Sequence, residues 1–339
     1  MVPMPPIVSW LLVAAMAQAP QAPAYREHVD VTRVLVDARV VDRGWRPIRD
    51  LGPSDFVVRI DGRAARIESA EWVAGTRDEG EGEGVSESRA SGPQGPSAEG
   101  RLIVFVLQKD LESSRITGLM RMLRETRSFL DAFTPHDRVA VLSFDSHLRV
   151  WLDFTADLDR VDRVLAHDVL FGRDTAVQAG DPTLLDTIPL DTARRTYSIE
   201  RALTRLGEAL APMPGSKAVV LVGHGFGRLG LNGVSMEPEY DEARRTLQAA
   251  RAAVFCLDVT QADYHSLEVG LQTVAEETGG IYQRTHIFST AAMERLASVL
   301  GGHYVLFVEK PPLGRGEHRI DVRLKGRSGT VYARTAFVD

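Results

Sequence analysis

Leu102-Ile103-Val104-Phe105-Val106-Leu107 constrains the fold more than any other stretch of this chain. A strand with one face in water alternates apolar and polar residues. A run that is apolar on both faces must be covered on both, as in a parallel sheet flanked by helices. The next segments fit that setting. Ile116, Leu119, Met120, Leu123, Leu130 and Phe133 recur at helical spacing, and Arg138 to Phe144 reads as a second strand. A short strand at Arg149–Phe154 and a helix near Asp157–Ala166 come next, then an irregular stretch over 168–192. Beyond it the sequence predicts a helix at Ser198–Leu210, a strand at Ala218–Val222, a helix at Tyr240–Ala252 and a strand at Val254–Val259. A helix at Ser266–Thr278, a short strand at Gly280–Arg284 and a helix at Ala291–Leu300 complete the series. Strand–helix alternation of this kind implies right-handed crossovers. The expected fold class is α/β, a three-layer, mostly parallel sheet flanked by helices, over 101–300.

The two ends read differently. Val34, Val36, Ala38, Val40 and Val41 alternate, and Asp55 to Ile60 and Ala65 to Trp72 are joined by the tight-turn pair Asp61-Gly62. His303–Val308, Glu317–Leu324 and Thr330–Phe337 are antiparallel in character, with turns at Leu313-Gly314 and Gly326-Arg327. A β segment over 20–74 and another over 301–339 are therefore expected to pack as one small β module. Residues 75–100, rich in Gly, Glu, Ser and Pro, have too little apolar surface to repay ordering and read as a disordered linker. At the N-terminus, Ile7 to Met16 is an apolar run too short to span a bilayer, followed by the small-x-small pattern Ala17-Gln18-Ala19. It reads as a signal peptide over 1–19, which makes the protein secreted or periplasmic and bacterial, with no membrane span.

A net charge of −6 argues against a nucleic-acid binder, which would carry a basic face. The single cysteine, Cys256, lies in the apolar run Ala253-Val254-Phe255-Cys256-Leu257 and reads as a core residue. The nine histidines form no H-x-x-x-H or H-x-x-E-H pair. Gly225-Phe226-Gly227-Arg228-Leu229-Gly230 spells G-x-G-x-x-G, but Gly233 and Pro238 stand where the phosphate-binding helix would begin. Asp145 and Asp153 flank a hairpin and read as turn residues. No catalytic constellation emerges.

In an open α/β sheet, ligands bind beyond the carboxyl ends of the strands. The loops expected there are Asp110–Ser114, Thr192–Ser198 and His224–Gly230. Asp110-Leu111-Glu112-Ser113-Ser114 offers oxygens at alternate positions, a pattern able to converge on a hard cation. The competing reading is helix capping, for which Ser113 and Ser114 are ordinary residues and acids near a helix N-terminus are favourable.

The chain resembles the von Willebrand factor type A family, and within it the von Willebrand factor A-related proteins of acidobacteria, over residues 27 to 338. Val34 to Asp42, Asp55-Phe56-Val57-Val58, Asp137 to Phe144, Ala275 to Gly280, His303-Tyr304-Val305-Leu306 and His318 to Val322 carry the likeness by their order and spacing. The resemblance implies a metal-ion-dependent adhesion site of the form Asp-x-Ser-x-Ser, a middle Thr and a later Asp. The first Asp falls on Asp110, Glu112 replaces the first Ser, Ser114 keeps the second, Thr196 (or Ser198) takes the middle position, and the later Asp falls on His224. The implied metal ligands are Asp110, Glu112, Ser114 and Thr196, with Mg²⁺ or another divalent cation as ligand; no other cofactor is expected. A neutral imidazole is a poor partner for Mg²⁺, so the site is expected to be degenerate. The expected function is non-enzymatic binding of another protein, for adhesion or envelope interaction, through Asp110, Glu112, Ser114, Thr196 and His224. Two alternatives stand beside it: a metal-dependent hydrolase using Asp110, Glu112 and His224, and a structural envelope component.

Overall fold

The computed structural model of the protein describes residues 32–75, 100–173, 176–231 and 233–339. The expected signal peptide and nearly all of the expected linker lie outside them. The chain opens with β1 (Arg33–Val41), β2 (Phe56–Ile60) and β3 (Arg63–Ala74). β4 (Leu102–Gln108) leads into α1 (Ser113–Leu130), β5 (Arg138–Phe144) and β6 (Leu148–Thr155). Three short helices come next, α2 (Leu158–Arg163), α3 (Val169–Phe171) and α4 (Leu190–Arg194), then α5 (Ile199–Leu210) and β7 (Lys217–Gly223). A small hairpin, β8 (Arg228–Gly230) and β9 (Gly233–Ser235), precedes α6 (Tyr240–Ala249) and β10 (Ala252–Asp258). α7 (Glu268–Thr278), β11 (Tyr282–Arg284) and α8 (Ser289–Leu300) end that part. β12 (Gly302–Glu309), β13 (Glu317–Leu324), β14 (Thr330–Ala333) and β15 (Ala336–Val338) close the chain.

A six-stranded mixed sheet, ordered β11-β10-β7-β4-β5-β6, forms the centre. Its first five strands are parallel, and β6 pairs antiparallel to β5 at the edge. The apolar run of β4 explains its central place, because its side chains point alternately to two different cores. Leu102, Val104 and Val106 pack with Leu203, Leu206, Leu247 and Leu271 from α5, α6 and α7. Ile103, Phe105 and Leu107 pack with Leu119, Met122, Leu123, Leu296 and Val299 from α1 and α8. Each such buried aliphatic side chain contributes about 1.5–3 kcal/mol, so the two faces of one strand anchor both cores. Gly118 lets α1 approach β10 closely, since a Cβ there would lie 1.7 Å from the Val259 carbonyl oxygen.

The other strands form an antiparallel sheet of seven, ordered β14-β1-β12-β3-β2-β13-β15. Sequence periodicity predicts one strand over Thr330–Phe337, but the structure has two. β14 pairs with β1 at one edge and β15 with β13 at the other. The break is tertiary in origin: Arg334 donates to the carbonyls of Gln248 and Leu35, and Thr335 N–H donates to Glu277 O. Only Arg334 and Thr335 separate the two edge strands, so the sheet's edges lie side by side and it curls around Val36, Ala38, Phe56, Ile60, Tyr304, Leu306 and Ile320. Polar contacts join it to the central sheet. Asp37, which His303 Nε2 of the same sheet approaches at 3.6 Å, pairs with Arg251 just before β10, and the buried Arg39 guanidinium stacks over Phe255 of β10 at 5.0 Å.

Asp153, read from the sequence as a turn residue, is a buried strand residue. Its carboxylate accepts from the N–H groups of Gly180 (3.0 Å) and Leu184 (2.9 Å) and from the Thr183 hydroxyl. It fastens the irregular stretch to β6.

Candidate functional site

The strand order reverses between β4 and β7, because β5 lies to one side of this pair and β10 and β11 to the other. Beyond their carboxyl ends is the crevice where ligands of open α/β sheets sit. Asp110 comes after β4 and His224 after β7, and the structure brings them together, with His224 Nε2 3.8 Å from Asp110 Oδ2. Gln108 sets that geometry. Buried at the end of β4, it accepts from the N–H groups of His224 (3.2 Å) and Gly225 (3.3 Å) and donates to Gly225 O (3.2 Å). Gly223 leaves room for it, since a Cβ there would lie 2.1 Å from Gln108 Oε1.

In the first loop, Asp110 Oδ1 accepts from Glu112 N–H at 3.0 Å. The cap of α1 is Glu112, not either serine: its carboxylate accepts from Ser114 N–H (3.4 Å) and from the Ser114 hydroxyl. The centre of the loop is held by a residue absent from the sequence-based site. Arg115 donates through one terminal nitrogen to Asp110 Oδ2, while its Nε sits 2.8 Å from Glu112 Oε2, close but not aligned for a hydrogen bond. The Glu112 backbone N–H, and then Arg115, hold the Asp110 carboxyl below the usual range. The Ser114 hydroxyl does the same for Glu112. Burial, reinforced by Arg115, lowers the affinity of His224 for a proton, and its Nδ1 has no hydrogen-bond partner among the described residues.

Thr196 does not join this group. Its hydroxyl donates to Thr192 O at 2.9 Å and its carbonyl accepts from Leu148 N–H. No hydrogen bond or ion pair between described residues links it to Asp110, Glu112, Ser114 or His224. Ser198 caps α5 and donates to Glu239 Oε2 at 2.8 Å. The metal ligand set implied by the resemblance therefore does not suit Mg²⁺. Its two carboxylates share a guanidinium, its hydroxyls are committed elsewhere, and its third strand loop presents an imidazole. The G-x-G-x-x-G segment runs into the β8–β9 hairpin, so no helix N-terminus faces a phosphate there.

A second polar cluster on the same rim escapes the sequence reading. Asp258 ends β10, His265 lies in the loop after it, and Glu268 opens α7. His265 Nε2 is 2.7 Å from Asp258 Oδ2, and the Tyr282 hydroxyl lies 2.8 Å from the same oxygen. Arg284 grips Glu268 through two nitrogens, at 2.7 and 3.0 Å. The available signal is an Asp at a strand end, with His and Glu seven and ten residues on, a spacing that a search for paired histidines passes over.

Around both clusters stand exposed apolar side chains. Leu111 lies beyond β4, Leu229 and Leu231 beyond β7, Tyr264 beyond β10, and Ile287 and Phe288 beyond β11. Tyr197, next to Thr196, belongs to the same end, because Thr196 O is bonded to the start of β6. The clefts elsewhere offer less chemistry. The groove lined by Asp241, Arg244, Glu277 and Glu317 holds side chains already paired, Arg244 with Asp241 and Glu317, and Glu277 with the Tyr240 hydroxyl.

No family model matches the chain, and no curated protein matches it. Among solved structures, the chain is similar to an aerotolerance-related membrane protein from Bacteroides fragilis carrying multiple mutations to serines. The identity is 16% and the TM-score 0.38, covering 59% of this chain and 98% of that one. BatB from Bacteroides thetaiotaomicron, a conserved hypothetical protein, gives 16% identity and a TM-score of 0.36 over the same shares, 59% and 98%. Proximal thread matrix protein 1 from the mussel byssus, solved with a zinc-occupied MIDAS motif, gives 12% identity and a TM-score of 0.39. There the match covers 63% of this chain and 48% of that one. Identities and TM-scores this low assign no family, ligand or function to this chain.

Proposed function

We propose that the protein is a non-enzymatic, exported binding protein with a von Willebrand factor A-like α/β core, and that it takes another protein on the rim around Asp110 and His224. The observation that carries this reading is the convergence of Leu111, Tyr197, Leu229, Leu231, Tyr264, Ile287 and Phe288 at one end of the parallel sheet. Large exposed apolar groups gathered on one face mark interaction sites, and aromatic side chains among polar neighbours supply most of the energy at such interfaces. In this reading the Asp110 loop contributes polar contacts and shape. Arg115 supplies inside the chain the positive charge that a divalent cation would otherwise bring. A metal-dependent hydrolase built on Asp110, Glu112 and His224 has less support, because both carboxylates are already paired with that guanidinium. The exported setting rests on the apolar run at Ile7–Met16, outside the described residues.

The reading is tested by capture from the envelope fraction of the source organism. A triple variant, Leu111→Ser, Leu231→Ser and Phe288→Ser, is compared with a control carrying Val338→Ser, which removes an exposed apolar side chain from β15 in the other sheet. A partner retained by the natural protein and the control but lost by the triple variant supports the reading. A partner retained equally by all three overturns it.

A further inference from the structure

Asp258, His265 and Glu268 each turn a ligand-type atom toward the others, all within 4.8 Å. Asp258 and Glu268 are each only 2% exposed, so this is not a solvated acidic surface. Two features set the cluster apart from an ordinary buried network. The first is charge. Arg284 compensates Glu268, but among the described residues Asp258 has within 4 Å only His265 as a basic partner, whose charge depends on holding a proton. A buried carboxylate without a fixed counter-charge is strongly disfavoured. The second is proton supply. The Tyr282 hydroxyl lies 2.8 Å from Asp258 Oδ2 and 3.1 Å from Glu268 Oε2, yet carries a single hydrogen for the two oxygens.

Nearby polar atoms also lack partners among the described residues, Gln261 Nε2 in the same loop being one. Thr260 is 8% exposed and its hydroxyl has no hydrogen-bond partner, although its N–H bonds Asp258 Oδ1 at 3.0 Å. His224 Nδ1 is another; His224 comes directly after Gly223, which lies opposite Asp258 in the β7–β10 register. A cation at the centre of the cluster would answer both the charge deficit and the missing hydrogen.

We propose that Asp258, His265 and Glu268 form a site for a divalent transition-metal ion of the zinc class, separate from the Asp110 loop. One imidazole nitrogen and two carboxylates are a donor set for borderline ions such as Zn²⁺, rather than for Mg²⁺, which prefers oxygen and water. Asp258 Oδ2 and His265 Nε2 exchange their mutual hydrogen bond for the ion. Arg284 and Tyr282 then act as orienting partners that fix the Glu268 carboxylate, the usual role of groups behind a ligand. Such an ion would brace the loop that carries Tyr264. The metal site is independent of partner binding and stands even if no protein docks on the rim.

The test is calorimetric titration of the full chain with Zn²⁺ and, separately, Mg²⁺, alongside the absorption spectrum of the Co²⁺-loaded protein. The expected result is one Zn²⁺ per chain, with Mg²⁺ bound at least a hundredfold more weakly. Zn²⁺ affinity should fall tenfold or more in His265→Gln and in Glu268→Gln, and stay unchanged in Asp110→Asn. Bound Co²⁺ should give the visible bands of a low-symmetry nitrogen–oxygen site. Because the Co²⁺ spectrum is read on the natural sequence, it keeps the proposal falsifiable even if a variant fails to fold. No saturable Zn²⁺ binding, binding that survives His265→Gln, or a Co²⁺ spectrum identical to that of the aqueous ion would each overturn it.

Discussion

Arg115 changes what the Asp110 loop can do. A guanidinium between two carboxylates is a fixed positive charge that no chelator removes, and partly exposed pairs of this kind contribute about 1 kcal/mol or less to stability. Arg115→Ala should therefore leave folding nearly intact while freeing Asp110 and Glu112. Mg²⁺ affinity, read by calorimetry, should rise from undetectable to a Kd on the order of 1 mM, as for weak oxygen-ligand sites. If the natural protein bound Mg²⁺ as tightly as the variant, Arg115 would not be standing in for a cation. The sequence displays Asp110, Glu112 and Ser114 in order, and the resemblance points to His224, which does reach Asp110. Arg115 is overlooked because the motif stops at Ser114, and a basic residue in a first helical turn signals nothing until its partners are placed. Thr196 enters as the middle Thr that the resemblance implies, and its hydroxyl is spent on its own helix end.

At the scale of elements, two buried polar side chains hold segments that no periodicity describes. Gln108 ties the β7 loop to β4, and Asp153 ties 180–184 to β6. Asp153→Ala leaves three N–H groups, of Phe154, Gly180 and Leu184, and a hydroxyl without their acceptor, and should cost about 2–4 kcal/mol in urea unfolding. Asp153→Asn, which keeps one acceptor oxygen, should cost less; equal losses would mean that the carboxylate is not the staple. The strand–helix order is legible in the sequence because long apolar runs and 3.6-residue spacing are local signals. The split of Thr330–Phe337 is not. Its one irregularity, the polar pair Arg334-Thr335, is too slight to divide a strand by itself, and the break is imposed by Arg334 reaching Gln248 and Leu35, which are distant in sequence. The Asp258 cluster is hidden for the same reason: its orienting partners, Tyr282 and Arg284, come from the next strand.

For the molecule as a whole, the joint between the two sheets is rich in charge and nearly dry. Burial pushes His303 down to about 4, and Arg39 and Arg251 act in the same direction while Asp37 opposes them. A histidine whose folded value lies below its ordinary 6.5 takes up a proton on unfolding, so stability should rise with pH between about 4 and 6.5 and level off above. The window is worth up to about 3 kcal/mol. Asp37 is shifted downward, burial being outweighed by Arg251 and His303, so its own loss falls below this window. Unfolding free energies of the natural protein and His303→Gln, measured from pH 4 to 7, should show the slope in the first and a flatter line in the second. Parallel lines would remove His303 from the account.

The pairing of both chain ends in one curled sheet also sets an order of events. β1 finds its neighbour β12 only after more than 200 intervening residues have been made, and the last edge is not covered until β15 arrives. Loop closure over such spans is slow, and unpaired strands waiting for it are open to wrong partners. The earliest strands to leave the ribosome therefore depend on the latest, and a chain shortened by a few residues at its carboxyl end would be left with a seam it cannot close.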